Sequence, residues 1–236
     1  MGLKRAKVRL LMIKVRDLSL ERCGFEILRR ISLEALAGES VALLGHNGAG
    51  KTTLIKTIAG LINPEVGVVS TEGIVGYVPD EKGFYSCMTL QDNVTFRARL
   101  AGLPKGEAAD EVDRLLEQFG LIACREQAAS SLSQGMAKRL AICCALAMRP
   151  DIILLDEPMN GLDPIANEKM GDAIRSWAQE GKTVLVSSHD LHSVVCSCDK
   201  AYILNKGVVA WSGLVPQDYE KLRDLYFKYA GENTSR

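Results

Sequence analysis

A glycine-rich segment with the sequence G-H-N-G-A-G-K-T-T occupies residues 45–53 and directly follows the apolar run at 41–44. The residues after it, 54–59, have the apolar spacing of a helix, so the segment joins a predicted strand to a predicted helix. Gly48 and Gly50 have no Cβ atom, which allows the backbone to curl until successive N–H groups converge on one point. The positive end of the helix dipole is directed at that point as well. The segment therefore predicts a phosphate-binding loop at the end of a strand, within an α/β fold.

The whole loop is expected to contact a nucleoside triphosphate bound together with Mg²⁺. Lys51 is expected to reach the β- and γ-phosphates, the Thr52 hydroxyl to ligate Mg²⁺, and Thr53 to bond nearer the α-phosphate. The predicted nucleotide-binding residues of the loop are Gly45, His46, Asn47, Gly48, Ala49, Gly50, Lys51, Thr52 and Thr53.

Two adjacent acids, Asp156 and Glu157, follow the apolar run at 152–155. That run has no polar alternation, which is typical of a parallel strand buried on both faces by helices. Ligand sites of such sheets lie outside the carboxyl ends of the strands. We therefore expect Asp156 to hold Mg²⁺ and Glu157 to polarise the water that attacks the γ-phosphate. The alternative for this pair alone is two solvent-exposed acids at a strand end.

Charge and cysteine usage limit the class of protein. The chain of 236 residues has 29 basic and 29 acidic residues, and this balance argues against a nucleic-acid binder held by bulk electrostatics. Its seven cysteines form no paired C-x-x-C ligand set and are odd in number, which indicates a reducing compartment. A metal or redox pair at Cys196 and Cys198 is an alternative to two small half-buried residues, but no second pair or histidine set supports it.

No apolar run is long enough to span a bilayer, and the basic residues 1–9 lack the apolar region and cleavage site of a signal peptide. We therefore expect a cytoplasmic protein that, if it serves a membrane, does so through a partner.

The order of strand and helix patterns predicts an α/β fold: a P-loop NTPase core whose mainly parallel sheet is flanked by helices. An antiparallel β subdomain is expected near the N-terminus and a helical subdomain as an insertion. A single domain at 1–236 is predicted, with its core at about 1–79 and 151–236 and its helical subdomain at about 80–150. Strand patterns occur at 10–18, 27–36, 41–44, 66–78, 152–155, 183–187, 201–204 and 208–211, and helix patterns at 51–59, 107–119, 136–148, 164–180 and 217–229. The sequence at 89–92 resembles a capping box and indicates one further helix start.

Three further motifs complete a family resemblance that covers nearly the whole chain. The L-S-Q-G-M at 132–136 resembles the L-S-G-G-Q signature of the ATPase subunits of ATP-binding-cassette (ABC) transporters. The N-G-L-D at 160–163 resembles their D-loop, and His189 after the strand at 184–188 resembles their switch histidine. Together with the phosphate loop and the acid pair, these are five motifs in the order and spacing of that family.

The resemblance implies ATP as the nucleotide and two cassettes that enclose two ATP molecules head to tail in a homodimer. The phosphate loop leaves one side of the γ-phosphate open to water. Ser133 and the Gly135 N–H, at a helix N-terminus, would cover that side of the γ-phosphate bound by the second subunit. His189 would bond the γ-phosphate and hold Glu157 and the water in line, so that Lys51, Glu157 and His189 form the catalytic set. Asp163 of the D-loop is expected to contribute to the nucleotide site.

Several positions depart from the family pattern. Asp80 occupies the usual glutamine position and is a third candidate ligand of Mg²⁺, beside Thr52 and Asp156. The signature has Gln134 and Met136 in place of glycine and glutamine, and the D-loop has Asn160 in place of serine.

A further departure concerns the adenine-stacking aromatic residue. Cys23 occupies about its place, and Phe25 is the nearest substitute.

Asp80, Met136 and the G-L-D-P run at 161–164 resemble the exporter branch, which includes heme-export and drug-resistance ATPases. The resemblance implies an integral membrane permease subunit as partner and a peripheral position on the cytoplasmic face of the membrane. We expect the partner to contact the aromatic and methionine stretch F-Y-S-C-M at 84–88; packing of this stretch against its own subdomain is the alternative. Two other functions stay open: a soluble ABC-type ATPase of a non-transport assembly complex, and a regulatory cassette that binds ATP without cleaving it.

Overall fold

The computed structural model describes residues 10–231, so the interpretation of residues 1–9 and the domain ends at 1 and 236 lie outside the described residues. The strands within this range are β1 (Leu11–Arg22), β2 (Phe25–Leu36), β3 (Ser40–Leu44), β4 (Val66–Thr71), β5 (Val75–Val78), β6 (Ile152–Asp156), β7 (Thr183–Ser188), β8 (Lys200–Asn205) and β9 (Val208–Leu214). The α-helices are α1 (Lys51–Ile58), α2 (Leu90–Leu100), α3 (Lys105–Gln118), α4 (Gln134–Leu146), α5 (Pro164–Gln179), α6 (Leu191–Ser197) and α7 (Tyr219–Ala230). Short 3₁₀ helices occur at Ile122–Cys124 and Ala129–Ser131.

The strands form two sheets, and together with the flanking helices they confirm the predicted fold class. The antiparallel sheet has the order β2-β1-β4, and the larger sheet has the order β5-β6-β7-β3-β8-β9. In the larger sheet only the β8–β9 pair is antiparallel. Helices α2, α3 and α4 lie in sequence between β5 and β6, where the helical insertion was expected.

The apolar residues of the central strands divide between two cores. In β6, Ile152 and Leu154 belong to the core shared with the antiparallel sheet, while Ile153 and Leu155 belong to the core shared with the helices. Successive side chains of a strand point to opposite faces, so a strand covered on both faces must be apolar at every position. This is why β3, β6 and β7 read as uninterrupted buried runs.

The sheet order brings three chain segments to one edge. Strands β6, β7 and β3 are parallel neighbours, so the residues after Asp156, Ser188 and Leu44 meet at their carboxyl ends. The phosphate loop leaves β3 here and enters α1 through Gly50, whose φ is 104°. A Cβ atom at this glycine would lie 2.8 Å from a Leu28 methyl carbon, so both the backbone angle and the close approach of β2 require glycine.

Some element bounds differ from those predicted. Strand β1 continues to Arg22 and β2 begins at Phe25, both beyond the predicted 10–18 and 27–36. Helix α4 begins at Gln134, two residues before the predicted start, and its N-cap is Ser133, as predicted. Helix α6 was not predicted at all.

Candidate active site

Lys51 begins α1 and directs its side chain back into the phosphate loop. Its ammonium group donates to the Gly45 carbonyl at 2.7 Å and lies 3.2 Å from Glu157 Oε1. Its side chain is only 6% exposed, so the cation is held in a pocket whose anionic group is the Glu157 carboxylate. The predicted pair of phosphate-loop lysine and strand-end acid is thus in direct contact.

The Asp156 carboxylate is fully buried at the end of β6. Its Oδ1 accepts hydrogen bonds from Thr52 Oγ1 at 3.1 Å and from Ser187 Oγ at 2.6 Å. Its Oδ2 has no hydrogen-bond partner among the described residues. A buried acceptor without a donor is costly, and carboxylate and hydroxyl oxygens are the ligands that Mg²⁺ prefers. The oxygens of Thr52 and Asp156 therefore fit the predicted magnesium ion.

Glu157 is held from both its backbone and its side chain. Its φ of 46° lies in the left-handed region, which is strained for a residue other than glycine. Its N–H donates to Ser187 Oγ at 2.9 Å, and its carbonyl accepts from the Asn160 N–H at 3.2 Å. Its Oε2 lies 3.0 Å from Nδ1 of His189, whose ring is about half exposed. The carboxylate is therefore aimed at the space between Lys51 and His189.

The signature segment lies at the N-terminus of α4. The Ser133 hydroxyl caps this helix by accepting from the Met136 N–H, and the Ser133 side chain is exposed. Among the described residues, no hydrogen bond or ion pair joins Ser133 or Gly135 to the phosphate loop of the same chain. Their contribution to a site on a second subunit remains a prediction. Asp163 accepts from the Ala166 N–H at 2.9 Å as the N-cap of α5.

Asp80 contacts a lysine and an amide. Its Oδ1 lies 3.5 Å from Lys138 Nζ and 3.4 Å from Asn160 Nδ2. No hydrogen bond within residues 10–231 joins Asp80 to Thr52 or Asp156. Its place among the magnesium ligands remains a prediction, and the structure adds a different partner, Lys138.

Lys138 and Ser187 are the residues of this site that sequence reasoning missed. Lys138 is 7% exposed, and its burial lowers the pKa of its ammonium group below the usual value, against the effect of Asp80. A signal was present, because Lys138 lies three and seven residues before the buried Ala141 and Ala145 and so continues the apolar stripe of α4. For Ser187 the signal was a hydroxyl at the carboxyl end of a buried strand.

The loop residue His46 connects the phosphate loop to the C-terminal helix. Its Nδ1 lies 2.7 Å from the Asn47 carbonyl, and its Nε2 lies 3.4 Å from Asn205 Oδ1. Asn205 in turn donates to the Tyr229 carbonyl in α7. Helix α7 also carries Tyr226, whose pKa is raised by burial and further by the Glu157 carboxylate. The C-terminal helix therefore borders the site, which its sequence did not indicate.

Strand β2 passes directly beside the phosphate loop. The Ile27 carbonyl and the Leu28 side chain are the atoms that a Cβ at Gly50 would meet. Phe25, two residues earlier, is 72% exposed, and Cys23 lies in the exposed turn before it. A phenylalanine side chain is therefore exposed two residues along β2 from the contact with the loop.

The stretch at 84–88 combines inward and outward side chains. Phe84 packs against the helical core, whereas Tyr85 is 48% exposed and meets the Phe96 ring edge to face at 5.5 Å. Asn93 fixes the stretch by accepting from the Tyr85 N–H at 2.7 Å and donating to the Tyr85 carbonyl at 3.0 Å. Cys87 is exposed. The packing alternative therefore holds for Phe84, and a permease contact through the exposed residues remains a prediction.

A cavity of about 300 Å³ lies close to this stretch, at the junction of β5, α2 and α4. Its lining includes Leu61, Tyr77, Pro79, Arg97 and Met148. The Tyr77 hydroxyl is buried without a partner within the described chain, and burial is the main cause that raises its pKa, with smaller contributions from Asp156 and Asp80. None of the helices in residues 10–231 has the length and apolar character needed to cross a membrane.

Comparison with known proteins gives one consistent family. Residues 28–160 match the family described as ABC transporter. An uncharacterised ABC transporter ATP-binding protein of Methanocaldococcus jannaschii is 35% identical over 92% of this chain and 82% of its own. The solved structure of an ATP-binding subunit of an ABC transporter has a TM-score of 0.81 and 29% identity, covering 95% of both chains. CbiO1 of Clostridium perfringens, part of the ABC transporter complex cbiONQ, has a TM-score of 0.76 and 26% identity, covering 92% of this chain and 95% of its own.

Proposed function

Because this chain belongs to the ABC transporter ATP-binding family, we propose that its ATPase reaction, carried by Glu157, drives a separate membrane permease through nucleotide-dependent dimerisation. Members of this family are P-loop ATPases coupled to transport. The observation that carries the proposal is the contact of the Glu157 carboxylate with both Lys51 and His189 at the carboxyl ends of neighbouring parallel strands. This is where doubly wound sheets bind and transform ligands.

Each residue has a part in the proposed reaction. Glu157 polarises the water that attacks the γ-phosphorus as the bond to the β–γ bridging oxygen breaks. His189 bonds the γ-phosphate and keeps Glu157 oriented. Lys51 exchanges the Glu157 carboxylate for the β- and γ-phosphates when ATP binds, which frees Glu157 for the water. The fit of Thr52 and Asp156 supports Mg²⁺ as the cofactor, which would neutralise charge on the phosphates.

The position of the signature supports a head-to-tail homodimer. Ser133 is exposed at the N-terminus of the 13-residue helix α4, where a helix dipole and free N–H groups favour an anion. In a symmetric dimer this surface of one subunit would face the phosphate loop of the other. Each ATP would then be enclosed only when both subunits meet.

The exposed residues Tyr85 and Cys87, beside the cavity that Leu61 and Arg97 line, support a permease contact at the stretch 84–88. The occupant we propose is a segment of an integral membrane permease on the cytoplasmic side. This would make the protein a peripheral subunit at the cytoplasmic face of the membrane. Nucleic acid is not expected as a partner, because the net charge is zero.

The direction that we propose is export, on the resemblance of Asp80, Met136 and residues 161–164 to the exporter branch. Import is the alternative direction. Transport in vesicles of known orientation, measured with the coexpressed permease, distinguishes the two directions.

The test of the proposed ATPase is the substitution Glu157→Gln, with Glu117→Gln, an exposed acid of α3, as the matched control. We expect Glu157→Gln to lower kcat by about a hundredfold or more, since it removes the general base, and to trap a dimer in ATP and Mg²⁺. Turnover and oligomeric state are followed together. The control should turn over like the parent.

Equal turnover in the parent and Glu157→Gln would contradict the role of Glu157. Binding of ATP without turnover or dimer in either protein would favour the regulatory cassette. Turnover without sedimentation on membranes that contain the coexpressed permease would favour a soluble assembly ATPase.

A further inference from the structure

We propose that Lys138 is a positioning residue for ATP hydrolysis, which holds the backbone of Glu157 in the conformation that aims its carboxylate. The inference rests on the proposed role of Glu157 and adds a residue that lies outside the five motifs. It begins from the strained Glu157 backbone, with φ at 46°. A residue other than glycine is strained in this region and persists only where its surroundings hold it.

Three groups hold Glu157 at its two peptide bonds. The Ser187 hydroxyl accepts from its N–H, and the Asn160 N–H donates to its carbonyl. The third is the Lys138 ammonium group, which lies 3.3 Å from the same carbonyl oxygen. Lys138 differs from the other two because it reaches the strand end from α4, the helix of the signature segment.

The hydrogen-bonding capacity of Lys138 is fully used. An ammonium group has three donors and no acceptor. Lys138 Nζ lies 3.0 Å from the Asp80 carbonyl, 3.5 Å from Asp80 Oδ1 and 3.3 Å from the Glu157 carbonyl. Three acceptors thus match three donors around a side chain that is 6% exposed. A charge buried to this degree is stable only with such partners.

The contacts close into a ring of four residues. Asn160 donates from its backbone to the Glu157 carbonyl and from its amide to Asp80 Oδ1. Lys138 joins the same two residues from the opposite side. Lys138 of α4 therefore links Asp80, after β5, to Glu157, after β6, through hydrogen bonds. Removal of the lysine would free the Glu157 carbonyl on one side and leave Asp80 without its cation.

The test compares Lys138→Met with Lys138→Arg. Methionine retains the apolar stem of lysine and removes the cation, whereas arginine retains the cation. We expect Lys138→Met to lower kcat by about tenfold or more with ATP affinity changed less than about threefold, since displacement of a catalytic group affects chemistry more than binding. Lys138→Arg should recover part of the loss.

The matched control is Lys182→Met. Lys182 also donates to a backbone carbonyl, that of Pro150 at 3.0 Å, but at the opposite end of β6. This variant removes the same type of contact away from the site, and we expect it to retain the parent kcat. Circular dichroism compares the folding of all variants, and Lys138→Gln replaces Lys138→Met if methionine prevents folding.

A second readout separates positioning from general structure. If Lys138 acts through Glu157, Lys138→Met should have little further effect on single-turnover hydrolysis in a Glu157→Gln background. An equal loss in both backgrounds would overturn the proposal, as would a kcat of Lys138→Met within about twofold of the parent. If Glu157→Gln alone leaves hydrolysis unchanged, the proposed role of Glu157 fails instead, and the two failures are distinguishable.

Discussion

At the scale of single residues, positions that depart from the family motifs contact one another. Asp80 accepts from the Asn160 amide, so the unusual acid and the unusual D-loop amide form one hydrogen bond. A Cβ atom at Gly161 of the D-loop would lie 2.5 Å from Gln134 Cδ, so the larger signature side chain fits against a glycine. One pair of changes thus forms a hydrogen bond, and the change at Gln134 fits against Gly161, which argues that the altered signature and D-loop still pack together.

Phe25 is the departure whose effect on binding is easiest to measure. Phe25→Ala should weaken ATP binding by about 1–3 kcal/mol, or roughly 5- to 150-fold, if the ring stacks on adenine. The expectation follows from its 72% exposure and from the contact of β2 with the phosphate loop. Calorimetric titration with ATP measures the change, and kcat at saturating ATP should stay near that of the parent.

The control is Phe96→Ala, since Phe96 is also exposed, at 40%, but lies on α2 in the helical insertion. Equal affinities of the parent and Phe25→Ala would show that the base does not stack on Phe25. Phe25→Trp should retain affinity if stacking is the cause.

At the scale of the elements, strands with continuous patterns were predicted best. The buried runs of β3, β6 and β7 were predicted within two residues of their bounds. In β2 the predicted strand began at residue 27, two residues after Phe25. In β1 the predicted strand stopped at residue 18, short of Arg22, and register shifts follow Leu18 and Leu20. Each irregularity shifts the alternation of faces by a residue, so a period of two cannot continue through it.

The site residues also divide into those that a local sequence pattern identifies and those that only the folded structure brings together. Lys51, Glu157 and His189 were predicted because motif spacing identifies them, and the structure brings them into contact. Lys138 lies 58 positions from its partner Asp80, and their contact depends on how α4 docks on the sheet. Short-range patterns do not contain docking geometry. Helix α6 was missed for a related reason, because its seven residues are too few for a clear helical period.

The turn between β8 and β9 supports the phosphate loop from outside. The Gly207 N–H donates to the Ala49 carbonyl at 3.2 Å, and a Cβ atom at Gly207 would lie 2.4 Å from the Ile27 carbonyl oxygen. Gly207→Ala must therefore move the backbone of β2 or of the turn. We expect it to lower the free energy of unfolding by more than the roughly 1–2 kcal/mol of its backbone angle alone, and to weaken ATP binding.

Gly24→Ala provides the reference, since Gly24 has a φ of 78°, close to the 79° of Gly207, and its Cβ would meet no atom within 4 Å. Denaturant unfolding of both variants separates the cost of the backbone angle from the cost of the Cβ contact. Equal losses of stability in the two variants would contradict the prediction, because the β8–β9 turn would then move without destabilising the phosphate loop.

At the scale of the whole molecule, the central sheet separates two apolar cores. One lies between this sheet and the antiparallel sheet, and the other lies under the helices. The fully buried cysteines Cys143, Cys144 and Cys198 all belong to the helical core. Two of them, Cys143 and Cys144, lie within α4, and Cys198 directly follows α6. The thiols therefore report on the layer that carries both the signature helix and the segment after His189.

The reactivity of six of the seven thiols should therefore fall into two groups with different physical origins. Burial raises the pKa of Cys144 and Cys198 to about 12 and that of Cys143 further still, so these thiols are protonated and shielded at pH 8. Cys23, Cys87 and Cys196 are exposed and should react with a disulfide reagent within seconds to minutes. The buried three should react only as fast as the helical layer opens, and their rate should rise with denaturant. The raised pKa values of the buried thiols also have a consequence for stability. The free energy of unfolding should fall as the pH rises from about 9, the unfolded pKa, toward 12, because the unfolded chain then loses thiol protons that the folded chain keeps. Mass spectrometry of timed labelling identifies each site. Fast labelling of Cys144 and Cys198 without denaturant would contradict a helical core packed on the sheet as a unit.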